Sequence, residues 1–262
     1  MNGVMTPQIW RIAIAYVFVL MLLVIVRKRR ISREKEILIA TIRMTLQLIL
    51  AGYLLLILFE NVHPLLTLAV VILMVVFAIM TTFRQCKTKL NASVKKIIAV
   101  SIAFGTLVCL VFFIVVVLGV VPWYDPRYFI PIAGMLIGNS MTGISLGVNR
   151  LMDGMRSQRQ TIETALMLGA TPKAAARKYV NAAFDAAILP TINSMVGMGI
   201  VFLPGMMTGQ ILSGTSPVTA IEYQIVIMLG ILGSVTLTVI VFVQLAYKSF
   251  FNAQQQLVME EQ

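Results

Sequence analysis

Few residues in this chain can do covalent chemistry, and their spacing argues against most of it. Gly143-Ile144-Ser145-Leu146-Gly147 fits G-x-S-x-G, the turn that presents a serine nucleophile in hydrolases. A nucleophilic serine needs a base within hydrogen-bond reach. The one histidine, His63, stands in a polar turn at the outer end of another segment, Glu60-Asn61-Val62-His63-Pro64. An intramembrane serine hydrolase is therefore the remote alternative. No G-x-x-x-x-G-K-[ST] occurs, so the chain cannot build a P-loop by itself. One His with two cysteines lacking motif spacing, Cys86 and Cys109, excludes the usual zinc clusters. The remaining ligand chemistry is a cluster of thioethers at Met195, Met198, Met206 and Met207. Such sulfur suits Cu(I) better than Fe or Zn, and methionine also serves as ordinary filler in apolar packing. Which metal, if any, it takes is left open.

The elements that must position these residues are membrane spans. The chain is 59% hydrophobic and only 12% charged, whereas soluble domains carry roughly 25% charged residues. Apolar runs of about 20 residues, enough to cross ~30 Å of hydrocarbon, recur at 8–26, 37–59, 65–83, 97–121, 128–149, 189–212 and 222–246. This predicts an all-α, polytopic protein of about seven transmembrane helices forming one permease domain over 1–262. The net charge of +11 is distributed as the positive-inside rule requires. Arg27, Lys28, Arg29, Arg30, Arg33 and Lys35 fall in the first loop, and Arg84, Lys87, Lys89, Lys95 and Lys96 in the third. Arg150, Arg156, Arg159, Lys173, Arg177 and Lys178 fall in the fifth, and Lys248 begins the tail. The even-numbered loops together hold only Arg127. The basicity thus reports orientation in a lipid bilayer and no nucleic-acid partner. It predicts an outside N-terminus and a cytoplasmic C-terminus in a multi-pass protein of the inner (plasma) membrane. The first basic cluster follows span 1 instead of preceding it, so that span is expected to stay as an anchor.

Two spans depart from plain scaffold. The fifth reads PIAGMLIGNSMTGISLGVN, with Gly134/Gly138 and Gly143/Gly147 each four apart. That spacing lets helix backbones approach closely in lipid. The sixth contains Leu203-Pro204-Gly205, which predicts a break, with Pro204, Gly205 and Gly209 as hinge candidates. Broken helices at membrane depth line cavities in transporters. The pathway candidates are accordingly Asn139, Ser140, Asn193, Met195, Met198, Met206, Met207 and Gln210. The ten acids are all expected in loops or at span ends, which counts against a proton-driven secondary transporter or channel, the main alternative. Between these spans lies a charged cytoplasmic segment, 150–188, expected as two helices broken at Gly169. Thr171 is its second N-cap and Pro172 occupies the first helical position.

Glu163-Thr164-Ala165-Leu166-Met167-Leu168-Gly169 resembles the EAA-x3-G signature of ABC-transporter permeases, and Ala170-Thr171-Pro172 extends the likeness. Leu189-Pro190 comes some eight residues later than in classical importers. With Gly138-Asn139-Ser140-Met141-Thr142-Gly143 and Leu203-Pro204-Gly205-Met206-Met207-Thr208-Gly209-Gln210 added, essentially the whole chain resembles the FetB-like iron-export permeases. They are related to plant permeases linked to aluminium tolerance and nucleotide-sugar transport. The resemblance implies a homodimer paired with a separate ABC ATPase subunit (FetA-like). No cofactor belongs to this chain, and ATP and Mg act in the partner. It also implies no enzyme activity here, and efflux of iron or another metal. Glu163, Ala165, Leu166, Leu168, Gly169, Ala170, Thr171 and Pro172 are then the residues that couple to the ATPase.

Overall fold

The computed structural model describes residues 9–86, 90–252 and 254–257, which leaves Lys87, Lys89, Glu260 and Glu261 outside it. The described chain is all-α. The helices are α1 (Ile9–Ala15), α2 (Val17–Lys28), α3 (Glu34–Glu60), α4 (Pro64–Gln85), α5 (Ala92–Phe112), α6 (Pro126–Ser157), α7 (Arg159–Met167), α8 (Pro172–Gly197), α9 (Gly205–Leu212) and α10 (Pro217–Ala246). A π-helical turn, Phe113–Val117, extends α5, and a 3₁₀ turn, Tyr247–Phe250, extends α10. Among the described residues six stretches are long and apolar enough to cross a membrane: Trp10–Lys28, α3, α4, Ala92–Val117, α6 and Pro217–Phe250.

The expected span 189–212 is not among them. α8 runs straight through Pro190 to Gly197, and the chain is non-helical from Met198 to Pro204 before α9 begins. The break is wider than the Leu-Pro-Gly triplet predicts because Gly199 takes a left-handed φ of +84° two residues past the end of α8. The charged segment 150–188 also differs from two helices. α6 continues to Ser157, and a second interruption falls at Gln158, whose φ of −113° and ψ of 24° leave the helical region. No glycine or proline marks that break in the sequence.

By contacts the chain forms two units, 9–62 with 212–214, and 63–211 with 215–257. In the first, α1, α2 and α3 bury very little; Val26 on α2 and Leu58 on α3 are their buried apolar residues. The Tyr16 hydroxyl bonds the Thr45 hydroxyl and links the start of α2 to α3.

The second unit holds the core, and its register follows from close approaches at small residues. A Cβ on Gly143 would stand 2.8 Å from Val235 Cγ1 and 3.2 Å from the Ala187 carbonyl oxygen. One on Gly147 would meet Ala187 and the Ala183 carbonyl oxygen. α8 therefore lies antiparallel to α6, and α10 lies parallel to it. A Cβ on Gly105 would come within 2.7 Å of Thr238 Cα, and one on Gly230 within 2.6 Å of the Phe113 ring, so α5 is antiparallel to α10. The Thr67 hydroxyl donates to the Tyr124 carbonyl (3.0 Å) and Asn149 Nδ2 to the Gln85 carbonyl (3.4 Å), which sets α4 parallel to α6. Without a hydrophobic drive between helices in lipid, such backbone approaches and buried hydrogen bonds supply the cohesion.

This register gathers Arg84, Lys95, Lys96, Arg150, Arg156, Arg159, Lys173, Arg177, Lys178 and Lys248 at one end of the unit. The opposite end carries His63, Trp123, Tyr124 and, as its single described basic residue, Arg127.

Candidate coupling surface and pathway

At the basic end α7 and α8 form a hairpin whose tip is built from the backbone upward. α7 is pinned by Ile162, which is buried, and by Leu166, which packs against the core. Arg159 Nε donates to Glu163 Oε1 at 2.7 Å across one turn of an exposed face, a pairing worth a few tenths of a kcal/mol at most. After Met167 the Gly169 N–H bonds the Leu166 carbonyl (3.0 Å) and the Ala170 N–H bonds the Ala165 carbonyl (2.9 Å). That pair of bonds is a Schellman motif, and it requires the left-handed φ of +89° found at Gly169. Thr171 then accepts from the Ala174 N–H (3.3 Å), and Pro172 opens α8. The result holds Met167 and Leu168 out at the tip, each 84% exposed. Of the residues expected to couple, Glu163, Ala165, Leu166, Leu168, Gly169, Ala170, Thr171 and Pro172 all belong to this one hairpin.

The pathway candidates separate. Ser140 is buried and bonds Ser234 of α10 at 2.9 Å, so it lies inside the α6–α10 contact. Met207 is buried, and Met195, Met198 and Met206 pack against the core. Asn139 and Asn193 are exposed on the flanks of α6 and α8, with Asn139 Nδ2 donating only to its own helix at Met135 O (2.8 Å). By the register of Gly143 with Ala187 they stand within about a turn of each other in height. Gln210 sits in the last turn of α9, where its carbonyl accepts from the Thr215 N–H (3.0 Å). Of the hinge candidates, Pro204 and Gly205 fall at the start of α9 and Gly209 within it.

Ser145 is buried, and its hydroxyl donates to the Met141 carbonyl (2.8 Å). His63 caps α4 at the far end of the unit, accepting from the Leu65 N–H. The serine therefore has no histidine base within reach. Among the described residues no three His, Cys, Asp or Glu side chains group to hold a metal.

One acid lies about one turn inside the end of the expected span 128–149. Asp185 is exposed in the middle of α8, level with Ser145 on α6 and so within the apolar stretch 128–149. It shares a face with Asn181 and, two turns on, Asn193. The sequence hid it because the charged beginning of α8 reads as a helix outside the membrane, with the next span starting only at 189. The available signal was the four-residue spacing of Asn181, Asp185 and Leu189 in a stretch, 173–189, without glycine or proline.

Residues 9–251 match the family described as "Uncharacterised protein family (UPF0014)". The chain belongs to that family. It is 34% identical over 250 residues to the UPF0014 membrane protein YjkA of Bacillus subtilis, covering 95% of this chain and 98% of that one. To the "Probable iron export permease protein FetB" of Escherichia coli it is 34% identical over 250 residues, 95% of each chain. To the protein ALUMINUM SENSITIVE 3 of Arabidopsis thaliana it is 35% identical over 245 residues, 94% of this chain and 88% of that one. No solved structure matches. This UPF0014 member is thus an all-α, multi-pass membrane protein, similar to one protein named a probable iron export permease and to another named for aluminium sensitivity.

Proposed function

We propose that this UPF0014 protein is the membrane-spanning permease subunit of an ABC transporter that moves iron or another metal cation outward. A separate ATPase subunit would power a homodimer of this chain. The α7–α8 hairpin carries the reading. A rigid, Schellman-capped tip presents two apolar side chains to the basic side of the bundle, where they cannot enter lipid. A soluble partner is the fitting cover for them. In this reading the basic end faces the cytoplasm, and α8 with α9 makes a seventh crossing. That places the N-terminus outside the inner (plasma) membrane. The exposed amides Asn139 and Asn193, and Asp185 between them and the basic end, then face a wet pathway or a second copy, because polar groups at membrane depth need such cover. The name of FetB supports iron and an outward direction.

The test is pull-down of the cognate ATPase by the Gly169→Val variant. A β-branched residue is strained at φ +89°, so docking is expected to fall at least tenfold while the variant stays folded in detergent. Undiminished docking refutes the coupling role. A second reading, a secondary transporter, draws support from Asp185, since a carboxylate at depth suits ion-driven carriers. Cation transport by the purified chain alone in vesicles, lost on Asp185→Asn, would establish that reading in place of the first.

A further inference from the structure

A cavity of about 630 Å³ opens at the basic end between α8 and the end of α10. Thr171, Lys173, Arg177 and Asn181 line one side, and Gln244 and Tyr247 the other. The lining offers two cations and several hydrogen-bond donors, with no carboxylate. Among the described residues neither Lys173 nor Arg177 takes part in an ion pair. Asp185, one turn deeper than Asn181, is not part of the lining. The chemistry calls for an anion.

Height along the bundle selects which anion. Gly147 lies level with Ala183 and Val239, so Asn181 and Gln244 stand close to where the apolar stretch of α6 ends. Arg177 and Lys173 lie one and two turns farther out, roughly 6 and 12 Å at 1.5 Å per residue. The headgroup layer begins at the edge of the hydrocarbon and is about 5–8 Å thick on each side. Arg177 therefore lies at the depth of the lipid phosphates, and Lys173, whose backbone is about 4–7 Å beyond that layer, can reach back to it along its flexible stem. Tyr247 adds the amphipathic ring favoured at that boundary. We propose that this cavity binds the phosphate of an anionic phospholipid, with Lys173 and Arg177 as its counter-charges. The proposal needs only that the helices cross a bilayer, and stands whether or not an ATPase docks.

The experiment titrates the full chain, purified in phosphatidylcholine nanodiscs, with phosphatidylglycerol and reads lipid retention by native mass spectrometry. The double variant Lys173→Gln/Arg177→Gln should bind phosphatidylglycerol roughly 30-fold more weakly, as expected for removing two lipid-facing cations. Lys95→Gln/Lys96→Gln, at the same end but outside the cavity, should bind as the unaltered protein does. The swap Lys173→Arg/Arg177→Lys should restore binding and shows that charge, and not misfolding, is being read. Equal retention by the double variant overturns the proposal, as does equal loss in the Lys95/Lys96 control. Inorganic phosphate that competes as well as the lipid would make this a site for soluble phosphate, and would overturn the lipid assignment.

Discussion

Gly105→Ala and Gly138→Ala are the same substitution in two transmembrane helices, and they should act with opposite sign. At Gly105 the new Cβ would stand 2.7 Å from Thr238 Cα and 2.8 Å from Thr238 N. Ordinary contact begins at 3.4 Å, so α5 and α10 must part by about 0.7 Å. The obstacle is helix backbone, which has no rotamer to escape into. Overpacking of this kind costs about 1–3 kcal/mol, against a gain of about 1 kcal/mol in helix preference. The net loss is up to about 2 kcal/mol. At Gly138 nothing lies within 4 Å, so only the preference remains and the variant should gain up to about 1 kcal/mol. Unfolding of both variants by sodium dodecyl sulfate in mixed micelles, followed by tryptophan fluorescence, separates them by about 1–3 kcal/mol. A Gly105→Ala protein as stable as the Gly138→Ala protein would refute the α5–α10 contact. A destabilised Gly138→Ala protein would show that another surface, such as a second copy, covers that glycine in the assembly.

Ser140→Ala should cost about 0.6 kcal/mol, the average for such bonds in membranes, because it strands the Ser234 hydroxyl. Adding Ser234→Ala should recover most of the loss, and additive losses in the double-mutant cycle would contradict the Ser140–Ser234 bond. Burial pushes the Cys86 thiol, just past the end of α4, from 9.0 up to about 11, so it holds its proton more tightly folded than unfolded. The stabilisation this gives is full below pH 9 and is lost as pH rises toward 11. At pH 8 alkylation of Cys86 by iodoacetamide should run about 100-fold slower than that of a free thiol, and reaction at the free-thiol rate would show the group to be solvated.

What could be read from residues alone was the membrane class, the glycine-assisted packing of α6 and the chemistry of the hairpin. Gly169, Thr171 and Pro172 carry strong local backbone preferences, so their cap geometry follows from residue type. Gly143 and Gly147 likewise meet the small residues that their spacing anticipates. Gly105 escaped notice because nothing near it in sequence reports Thr238, more than a hundred residues away. The interruption at Gln158 has no breaker, so it too is set by tertiary packing instead of local preference.

The deepest miss concerns α8, and it bears on mechanism. Hydropathy places the sixth crossing at 189–212 because Lys173, Arg177, Lys178 and Asp185 depress the mean over the earlier turns. Yet α6 and α10 run parallel, so 158–216 must carry the chain back along the bundle. α8, antiparallel to both and packed through Ala183 and Ala187 against the glycines of α6, is the element that does so. A helix this polar is tolerated there because its alanine face meets protein while Asn181, Asp185 and Asn193 are left on the other side. That same helix begins at the hairpin tip. A force applied at Leu168 would therefore act directly on the element that carries Asp185, without passing through any loop longer than Gly169-Ala170-Thr171.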